Sequence, residues 1–225
     1  MATLPGTAGN DSLVGTSNGD SISGQAGNDS LYGAGGADSV FGGDGLDQLY
    51  GGSGSDFLYG GNDNDSLYGG TGSDVIDGGL GIDVADYSAS SNAVTVNLTS
   101  GINTGGDAAG DTLVGIENLI GSANADSLTG DAGSNAIYGG SGNDTLTGGG
   151  GADLLDGGTG SADVADYSSS SAGVTVDLAT GLGSGGDADN DTLIGIENLI
   201  GSALAVSLTG NSGANALFGG AGMDT

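Results

Sequence analysis

Apolar residues recur along the first part of the chain with a period of nine residues. From residue 6 to residue 86 the sequence divides into nine consecutive units of nine, and the eighth position of every unit is apolar. These residues are Leu13, Ile22, Leu31, Val40, Leu49, Leu58, Leu67, Ile76 and Ala85. The last three residues of a unit are too few for a helical turn but enough for a short strand. The pattern therefore predicts one strand per unit, with its central, eighth-position side chain facing the interior.

Glycine and aspartate hold the other fixed positions of each unit. The first position is always Gly, and the sixth is always Asp. Gly permits positive φ and close approach of two backbones, so the first six residues predict a tight turn. One turn and one strand make a half-coil, and two units make a coil of 18 residues. Stacked coils would form two parallel sheets around the eighth-position residues, an all-β solenoid in which stability comes from neighbouring coils.

The stacking places the aspartates in two columns, one at each edge of the solenoid. The first column is Asp11, Asp29, Asp47, Asp65 and Asp83, and the second is Asp20, Asp38, Asp56 and Asp74. Carboxylates about 5 Å apart, one strand spacing, repel each other unless a cation lies between them. Backbone carbonyls of adjacent turns would complete an oxygen cage, which suits Ca²⁺ better than Mg²⁺. The first array therefore predicts about seven calcium sites between turns.

Composition narrows the possible chemistry to oxygen ligands. The 225 residues include 53 Gly and have a net charge of −29, with no Lys, Arg, His, Cys or Trp. A chain without cationic side chains has no basic surface for nucleic acid and is repelled by anionic membranes. Without His, Cys or Lys, most nucleophile–base pairs and zinc sites cannot form. So much Gly and charge would favour disorder if the period were absent.

The rest of the chain contains a longer module that occurs twice. Residues 83–145 align without gaps on residues 163–225 and are about two-thirds identical. Each copy has an alternating strand, a Gly/Asp-rich turn and a second apolar stretch, which predicts longer rungs inserted in one continuous solenoid. Nonapeptides resume at Gly121. Their acid position holds Asp126, Asn135, Asp144 and Asp153, and then Asp163 after one extra residue.

These positions complete the predicted set of calcium ligands. Asn135 keeps a carbonyl oxygen but lacks the charge, and the extra residue before Asp163 makes that site irregular. Val206 and Asn215 stand at later acid positions, where little or no calcium is expected. The chain as a whole predicts about ten Ca²⁺ ions. Two charges neutralised at each would leave the protein acidic and soluble.

The unit resembles the nonapeptide GGxGxDxUx of the RTX (repeats-in-toxin, haemolysin-type calcium-binding) proteins. The stretch GGSGSDFLYGGNDNDSLYGGTGSDVIDGG carries this resemblance most clearly. The resemblance implies a right-handed parallel β-roll that is unfolded without calcium. It also implies export by a type I secretion system and folding on contact with extracellular calcium.

Five segments follow from these patterns. They are residues 1–86 (nonapeptide β-roll), 87–120 (longer rungs), 121–162 (second nonapeptide block), 163–200 (second copy of the longer rungs) and 201–225 (degenerate block). The chain has no N-terminal signal peptide, transmembrane run or capping helix that its sequence reveals. The expectation is therefore either a part of a longer protein or ends that stack on other copies.

Other candidate sites have simpler structural interpretations. Asp83 with Asp86, and likewise Asp163 with Asp166, could be a glycosidase carboxylate pair, but a calcium ligand followed by a turn cap is favoured. Glu117 and Glu197 could be acids and are better explained as outward or turn-satisfying residues. The outward ninth position carries a row of aromatic residues, Tyr32, Phe41, Tyr50, Tyr59 and Tyr68. They could rigidify the sheets by stacking, or form a lateral contact surface.

The sequence therefore predicts a non-enzymatic, calcium-binding module with a structural or interaction role outside a bacterial cell. A surface layer, adhesin, matrix or self-assembling filament is the expected setting. The expected partners are calcium and other copies of the chain, end to end or laterally, without nucleic acid or membrane insertion. The alternative is the non-catalytic tail of a larger secreted RTX enzyme or toxin.

Overall fold

The computed structural model describes residues 1–225 as an all-β chain with two single-turn 3-10 helices, Gly106–Ala108 and Gly186–Ala188. The strands are β1 (Thr3–Pro5), β2 (Ser12–Val14), β3 (Ser21–Ala26), β4 (Ser30–Gly35), β5 (Ser39–Asp44), β6 (Gln48–Ser53), β7 (Phe57–Asn62), β8 (Ser66–Thr71), β9 (Val75–Leu80), β10 (Val84–Asp86), β11 (Thr95–Asn97), β12 (Thr112–Val114), β13 (Asn118–Ile120), β14 (Ser127–Thr129), β15 (Ala136–Tyr138), β16 (Thr145–Thr147), β17 (Leu154–Asp156), β18 (Val164–Asp166), β19 (Thr175–Asp177), β20 (Leu182–Ser184), β21 (Thr192–Ile194), β22 (Asn198–Ile200), β23 (Ser207–Thr209) and β24 (Ala216–Phe218). The chain forms two compact units: Met1–Val96 with Gly101–Asn118, and Asn97–Ser100 with Leu119–Thr225.

The first unit is a stack of coils with two parallel sheets. One sheet has the order β1-β3-β5-β7-β9-β12 and the other contains β2-β4-β6-β8-β10. Each strand pairs with the strand one coil away, so Leu31 lies beside Leu49 and Leu49 beside Leu67. This register is the predicted coil of 18 residues. The predicted parallel solenoid is thereby confirmed.

The strands in the middle of this unit are longer than the sequence predicts. β3 to β9 contain six residues each, because pairing continues past the eighth and ninth positions into the next turn. Gln25 pairs with Gly43 and Ala26 with Asp44 in this extension. Both Gln25 and Gly43 have positive φ, 80° and 122°. Both the strands and the turns are therefore paired with their counterparts in the next coil.

The interior of the first unit is the column of eighth-position side chains. All of these residues from Ile22 to Ala85 are fully buried, as the apolar period predicts, whereas Leu13 is half-buried. Because a strand alternates its side chains, the seventh and ninth positions of the same strands face outward. The core is thus one aliphatic residue wide per strand, and little apolar surface is buried by each coil.

The second unit contains shorter strands and one antiparallel excursion. Its sheets have the orders β14-β16-β18-β22-β24 and β13-β15-β17-β21-β20-β19-β23. β20 pairs antiparallel with β19 and with β21, and the other pairs are parallel. The first copy of the module has a matching antiparallel bridge between Thr95 and Thr104. In both copies the longer rung folds back on itself before the parallel stacking resumes.

Candidate metal sites

The predicted acidic residues lie at the ends of turns, directly before the strands. Of the fourteen predicted ligands, only Asp11 is partly exposed. The others are at most 3% exposed: Asp20, Asp29, Asp38, Asp47, Asp56, Asp65, Asp74, Asp83, Asp126, Asn135, Asp144, Asp153 and Asp163. Burying so many ionisable groups is costly unless each is paired.

One carboxylate oxygen of most of these acids is satisfied by the previous coil. The backbone N–H of Asp29 donates to Oδ1 of Asp47 at 2.8 Å, and the N–H of Asp47 donates to Oδ1 of Asp65 at 2.8 Å. The same bond joins Asp126 to Asp144 at 2.8 Å. The acids therefore form continuous amide–carboxylate ladders along the two predicted columns. These bonds fix the orientation of each carboxylate.

The ladders extend to acids that the sequence pattern did not identify. The N–H of Asp74 donates to Asp111 at 2.9 Å, and that of Asp153 donates to Asp191 at 2.9 Å. The ladders of Asp83 and Asp163 end on glutamates, and Asp224 accepts from Val206 at 3.2 Å. A sequence signal existed, since Asp111 and Asp191 both begin an Asp-Thr-Leu tripeptide that matches the acid and strand of a nonapeptide.

The second carboxylate oxygen, Oδ2, has no such hydrogen bond in most of these acids. In ten acids Oδ2 is buried and has no hydrogen-bond partner: Asp29, Asp38, Asp47, Asp56, Asp65, Asp74, Asp83, Asp144, Asp153 and Asp163. An unpartnered, buried carboxylate oxygen is among the least favourable groups in a protein interior. A bound cation at each would remove this cost.

At several of these turns the first-position Gly lies directly beside the unpartnered oxygen. A methyl group added at Gly51 would lie 2.5 Å from the carbonyl oxygen of Gly69 and 2.6 Å from Oδ2 of Asp56. A methyl at Gly33 would lie 2.6 Å from the Gly51 carbonyl and 2.5 Å from Oδ2 of Asp38. The first-position Gly thus keeps open a cradle between a carboxylate and a carbonyl of the next coil.

The donors in this cradle fit Ca²⁺. Carboxylate and backbone carbonyl oxygens are hard ligands, which Ca²⁺ accepts in flexible geometry. No group of three or more carboxylates is close enough to hold a metal by side chains alone. Any bound ion would therefore draw part of its coordination from backbone carbonyls, as the sequence predicts.

Burial raises the pKa of several ladder acids in the calcium-free protein. Desolvation, with neighbouring carboxylates adding to it, raises the pKa of Asp65, Asp74 and Asp153 to about 7. It raises the pKa of Asp47 and Asp144 to about 6. Without a cation, the three acids with a pKa of about 7 are about half protonated near neutral pH. A divalent cation would compete with those protons.

Four of the predicted ligands differ from these ten, because a side-chain oxygen of each accepts a hydrogen bond from its own turn. Oδ2 of Asp11 accepts the N–H of Thr7 at 2.6 Å, and Oδ2 of Asp20 accepts the N–H of Thr16 at 2.7 Å. Asp126 accepts from Ser122 at 2.5 Å, and Asn135 accepts from Asp131 at 2.9 Å. Hydrogen bonds to the charged form lower the pKa of Asp20. At these turns the protein supplies the donors itself.

The irregular turn before Asp163 keeps the same arrangement as the regular ones. The N–H of Asp144 donates to Oδ1 of Asp163 at 2.8 Å over 19 residues. Asp163 is fully buried and its Oδ2 has no partner. A methyl at Gly157 would still contact this carboxylate group and the Gly195 carbonyl. The turn absorbs the extra residue without moving the acid out of its ladder.

The two carboxylate pairs considered for catalysis have structural contacts. Asp86 accepts the N–H of Ser88 at 2.7 Å, and Asp166 accepts that of Ser168 at 2.8 Å, so both close a turn. Glu117 accepts the N–H of Asp83 at 2.8 Å, and Glu197 accepts that of Asp163 at 2.9 Å. The longer glutamate side chain ends the ladder where the module leaves the nonapeptide register.

The aromatic residues of the ninth position lie on the outer faces of the sheets. Tyr32 and Tyr50 stack with ring centroids 4.5 Å apart, and Tyr50 and Tyr68 with centroids 4.3 Å apart. On the other sheet Phe41 contacts Phe57 at 5.8 Å in a tilted arrangement. The stacking that the alternation of strands predicts is present on the first of these faces. Such pairs stabilise neighbouring strands by a few tenths of a kcal/mol up to about 1 kcal/mol.

Comparisons with known proteins agree with this geometry. A family model described as the RTX calcium-binding nonapeptide repeat (4 copies) matches residues 5–40, 14–49, 50–85, 106–146, 129–162 and 194–225. The matched segments together cover more than half of the chain. No curated protein matches it. Neither of the two short helices is long enough to cross a membrane.

Proposed function

Since the chain belongs to the family of RTX calcium-binding nonapeptide repeats, we propose that it is a secreted structural module that folds when it meets extracellular Ca²⁺. The observation that carries this proposal is the set of ten buried Oδ2 atoms without a partner. Each coil buries little apolar surface, so binding of the ion supplies free energy that the narrow core lacks. The repeat is a calcium-binding β-roll and is not catalytic by itself.

The proposed setting is a bacterial surface layer, adhesin, matrix or filament. The net charge of −29 keeps the unfolded chain extended in a calcium-poor compartment, where the acids repel each other. Calcium would then neutralise the ladders and allow the coils to stack. The outward aromatic rows, with Phe41 and Tyr59 each more than one-third exposed, support lateral contact with another copy.

Calcium titration with two readouts tests the proposal. Far-UV circular dichroism is expected to change from coil to β on addition of Ca²⁺, while Mg²⁺ at the same concentration leaves the spectrum unchanged. Light scattering at several protein concentrations is expected to show growth of particles in Ca²⁺ only. Folding without assembly would favour the alternative, a non-catalytic tail of a secreted RTX enzyme or toxin. No response at millimolar Ca²⁺ would refute calcium-coupled folding.

A further inference from the structure

Apart from the exposed last turn at Asp224, the nonapeptide turns that carry an acid or amide fall into two classes. In the ten open turns, the acid has a buried Oδ2 without a partner. In the five closed turns, which end in Asp11, Asp20, Asp126, Asn135 and Asn215, the acid or amide accepts the backbone N–H of the second residue of its own turn. The distances of these five bonds lie between 2.5 and 2.9 Å.

The second residue of the turn separates the two classes completely. In the open turns it has positive φ in every case: Gln25, Ala34, Gly43, Gly52, Gly61, Gly70, Gly79, Gly140, Gly149 and Gly158. In the closed turns it is Thr7, Thr16, Ser122, Asp131 or Asn211, none with positive φ. Gln25 and Ala34 show that absence of Gly does not close a turn. Closure requires a short side chain with an oxygen.

The short side chain closes the turn by a local hydrogen bond. Oγ of Ser122 accepts the N–H of Asn124 at 3.0 Å, and Oδ1 of Asp131 accepts that of Gly133 at 2.7 Å. This bond, to the residue two positions on, is the Asx or Ser/Thr turn. It holds the second residue at negative φ, which turns its N–H toward the acid. The hydroxyls of Thr16 and Ser122 also donate to the acid, at 2.7 and 2.9 Å.

The closed turn of Asp126 has the same cradle as an open turn. A methyl at Gly121, in a closed turn, would lie 2.5 Å from the Gly139 carbonyl and 2.6 Å from Oδ2 of Asp126. These are the distances found at Gly51 in an open turn. Carboxylate, carbonyl and space are all present beside Ser122. Only the partners of Oδ2 are different.

From this we infer that the second residue of each turn decides whether the turn takes calcium: Ser, Thr, Asp or Asn there replaces the ion with internal donors. The inference rests on calcium binding at the open turns, as proposed above, and does not depend on assembly. It restricts the sequence-predicted ligands, because Asp11, Asp20, Asp126 and Asn135 would bind no calcium in the native chain.

Two opposite substitutions test the inference, with calcium per chain measured by equilibrium dialysis at saturating Ca²⁺. Ser122→Gly removes the internal donors beside Asp126 and is expected to add one Ca²⁺ per chain. Gly140→Ser creates Gly-Ser-Ser-Gly-Asn-Asp beside Asp144, close to the closed Gly-Thr-Ala-Gly-Asn-Asp of residues 6–11. It is expected to remove one Ca²⁺ per chain.

The duplicated module supplies a matched control. Ser202 is the counterpart of Ser122, but Val206 stands in the acid position. Ser202→Gly is therefore expected to leave the count unchanged, and Ser122→Gly combined with Asp126→Asn should lose the added ion. An unchanged count in Ser122→Gly or in Gly140→Ser would overturn the inference, as would failure of Ser122→Gly to fold in saturating Ca²⁺. If the native chain bound no calcium, the proposed function itself would fail, which is a distinguishable result.

Discussion

The nonapeptide array and the longer module of the first unit bury acids in the same ladder by different means. Asp74, in the array, has Oδ2 buried without a partner. The next acid of that ladder is Asp111, in the module, and its Oδ2 accepts the hydroxyl of Tyr87 at 3.0 Å. The second unit repeats the contrast: Oδ2 of Asp153 has no partner, while that of Asp191 accepts the Tyr167 hydroxyl at 2.8 Å.

The difference shows that burial alone does not determine the need for calcium. Desolvation raises the pKa of Asp111 to about 6 and that of Asp74 to about 7, so both acids are deeply placed. The buried hydroxyl of Tyr87, whose own pKa is raised far above its usual range by desolvation, stays protonated and donates. We therefore expect the modules to contribute stability that does not depend on calcium, next to arrays that do depend on it.

Removal of calcium is expected to produce the largest difference in stability between the array and the module. Excess chelator leaves the array acids unpartnered, and an uncompensated buried charge costs on the order of several kcal/mol. Hydrogen exchange should lose protection first in β3 to β9 and last around Tyr87 and Asp111. Chelator with excess Mg²⁺ is the control and should behave like chelator alone. Equal loss of protection in array and module would contradict the comparison.

Acidification of the calcium-free protein is expected to recover part of the lost structure. Asp65 and Asp74 have a pKa of about 7 in the folded state, against an ordinary value of about 3.9 in an unfolded chain. The folded state thus binds more protons at these two acids. The stability that their protonation contributes is fully present below about pH 4 and is lost as pH rises through about 7. Circular dichroism in chelator should show more β signal at pH 5 than at pH 8. With calcium present, the midpoint should move to higher Ca²⁺ as pH falls.

Filling one cradle is expected to destabilise the array by about 2 kcal/mol. Gly51→Ala places a methyl against Oδ2 of Asp56 and the Gly69 carbonyl, so the site should also lose its ion. Gly150→Ala is the matched control, because its nearest contact would be Ala132 Cα at 3.9 Å. Chemical denaturation in saturating Ca²⁺ measures both. Similar stability of the two variants would show that the cradle is not needed.

Removing the tyrosine hydroxyl of the module should have the smallest effect. Tyr87→Phe removes one hydrogen bond to Oδ2 of Asp111, which costs about 1 kcal/mol. Tyr50→Phe is the control, since its hydroxyl donates to Gln48 at 3.3 Å in an exposed hydrogen bond on the outer face of the sheet. The Ca²⁺ midpoint for folding should rise in Tyr87→Phe and stay unchanged in Tyr50→Phe. An unchanged Ca²⁺ midpoint in both variants would show that the Tyr87 hydroxyl does not stabilise the buried Asp111.

The period of nine residues was enough to predict the parallel coils, the buried eighth position and the acid columns. It did not reveal Asp111 or Asp191, because these follow their ladder neighbours by 37 and 38 residues and not by 18. The intervening rung folds back on itself, and its length hides the register. The pattern also did not reveal the role of Thr16 and Ser122, because the contact of each backbone N–H with its acid exists only in the folded turn.

The stacked tyrosines give the array an optical property of its own. The protein has no Trp, and Tyr32, Tyr50 and Tyr68 lie one coil apart with nearly parallel rings, at interplanar angles of 5° and 11°. Rings so close couple their electronic transitions, and the coupling vanishes when the coils separate. Near-ultraviolet circular dichroism of the unlabelled protein therefore reports whether three consecutive coils are stacked or separated.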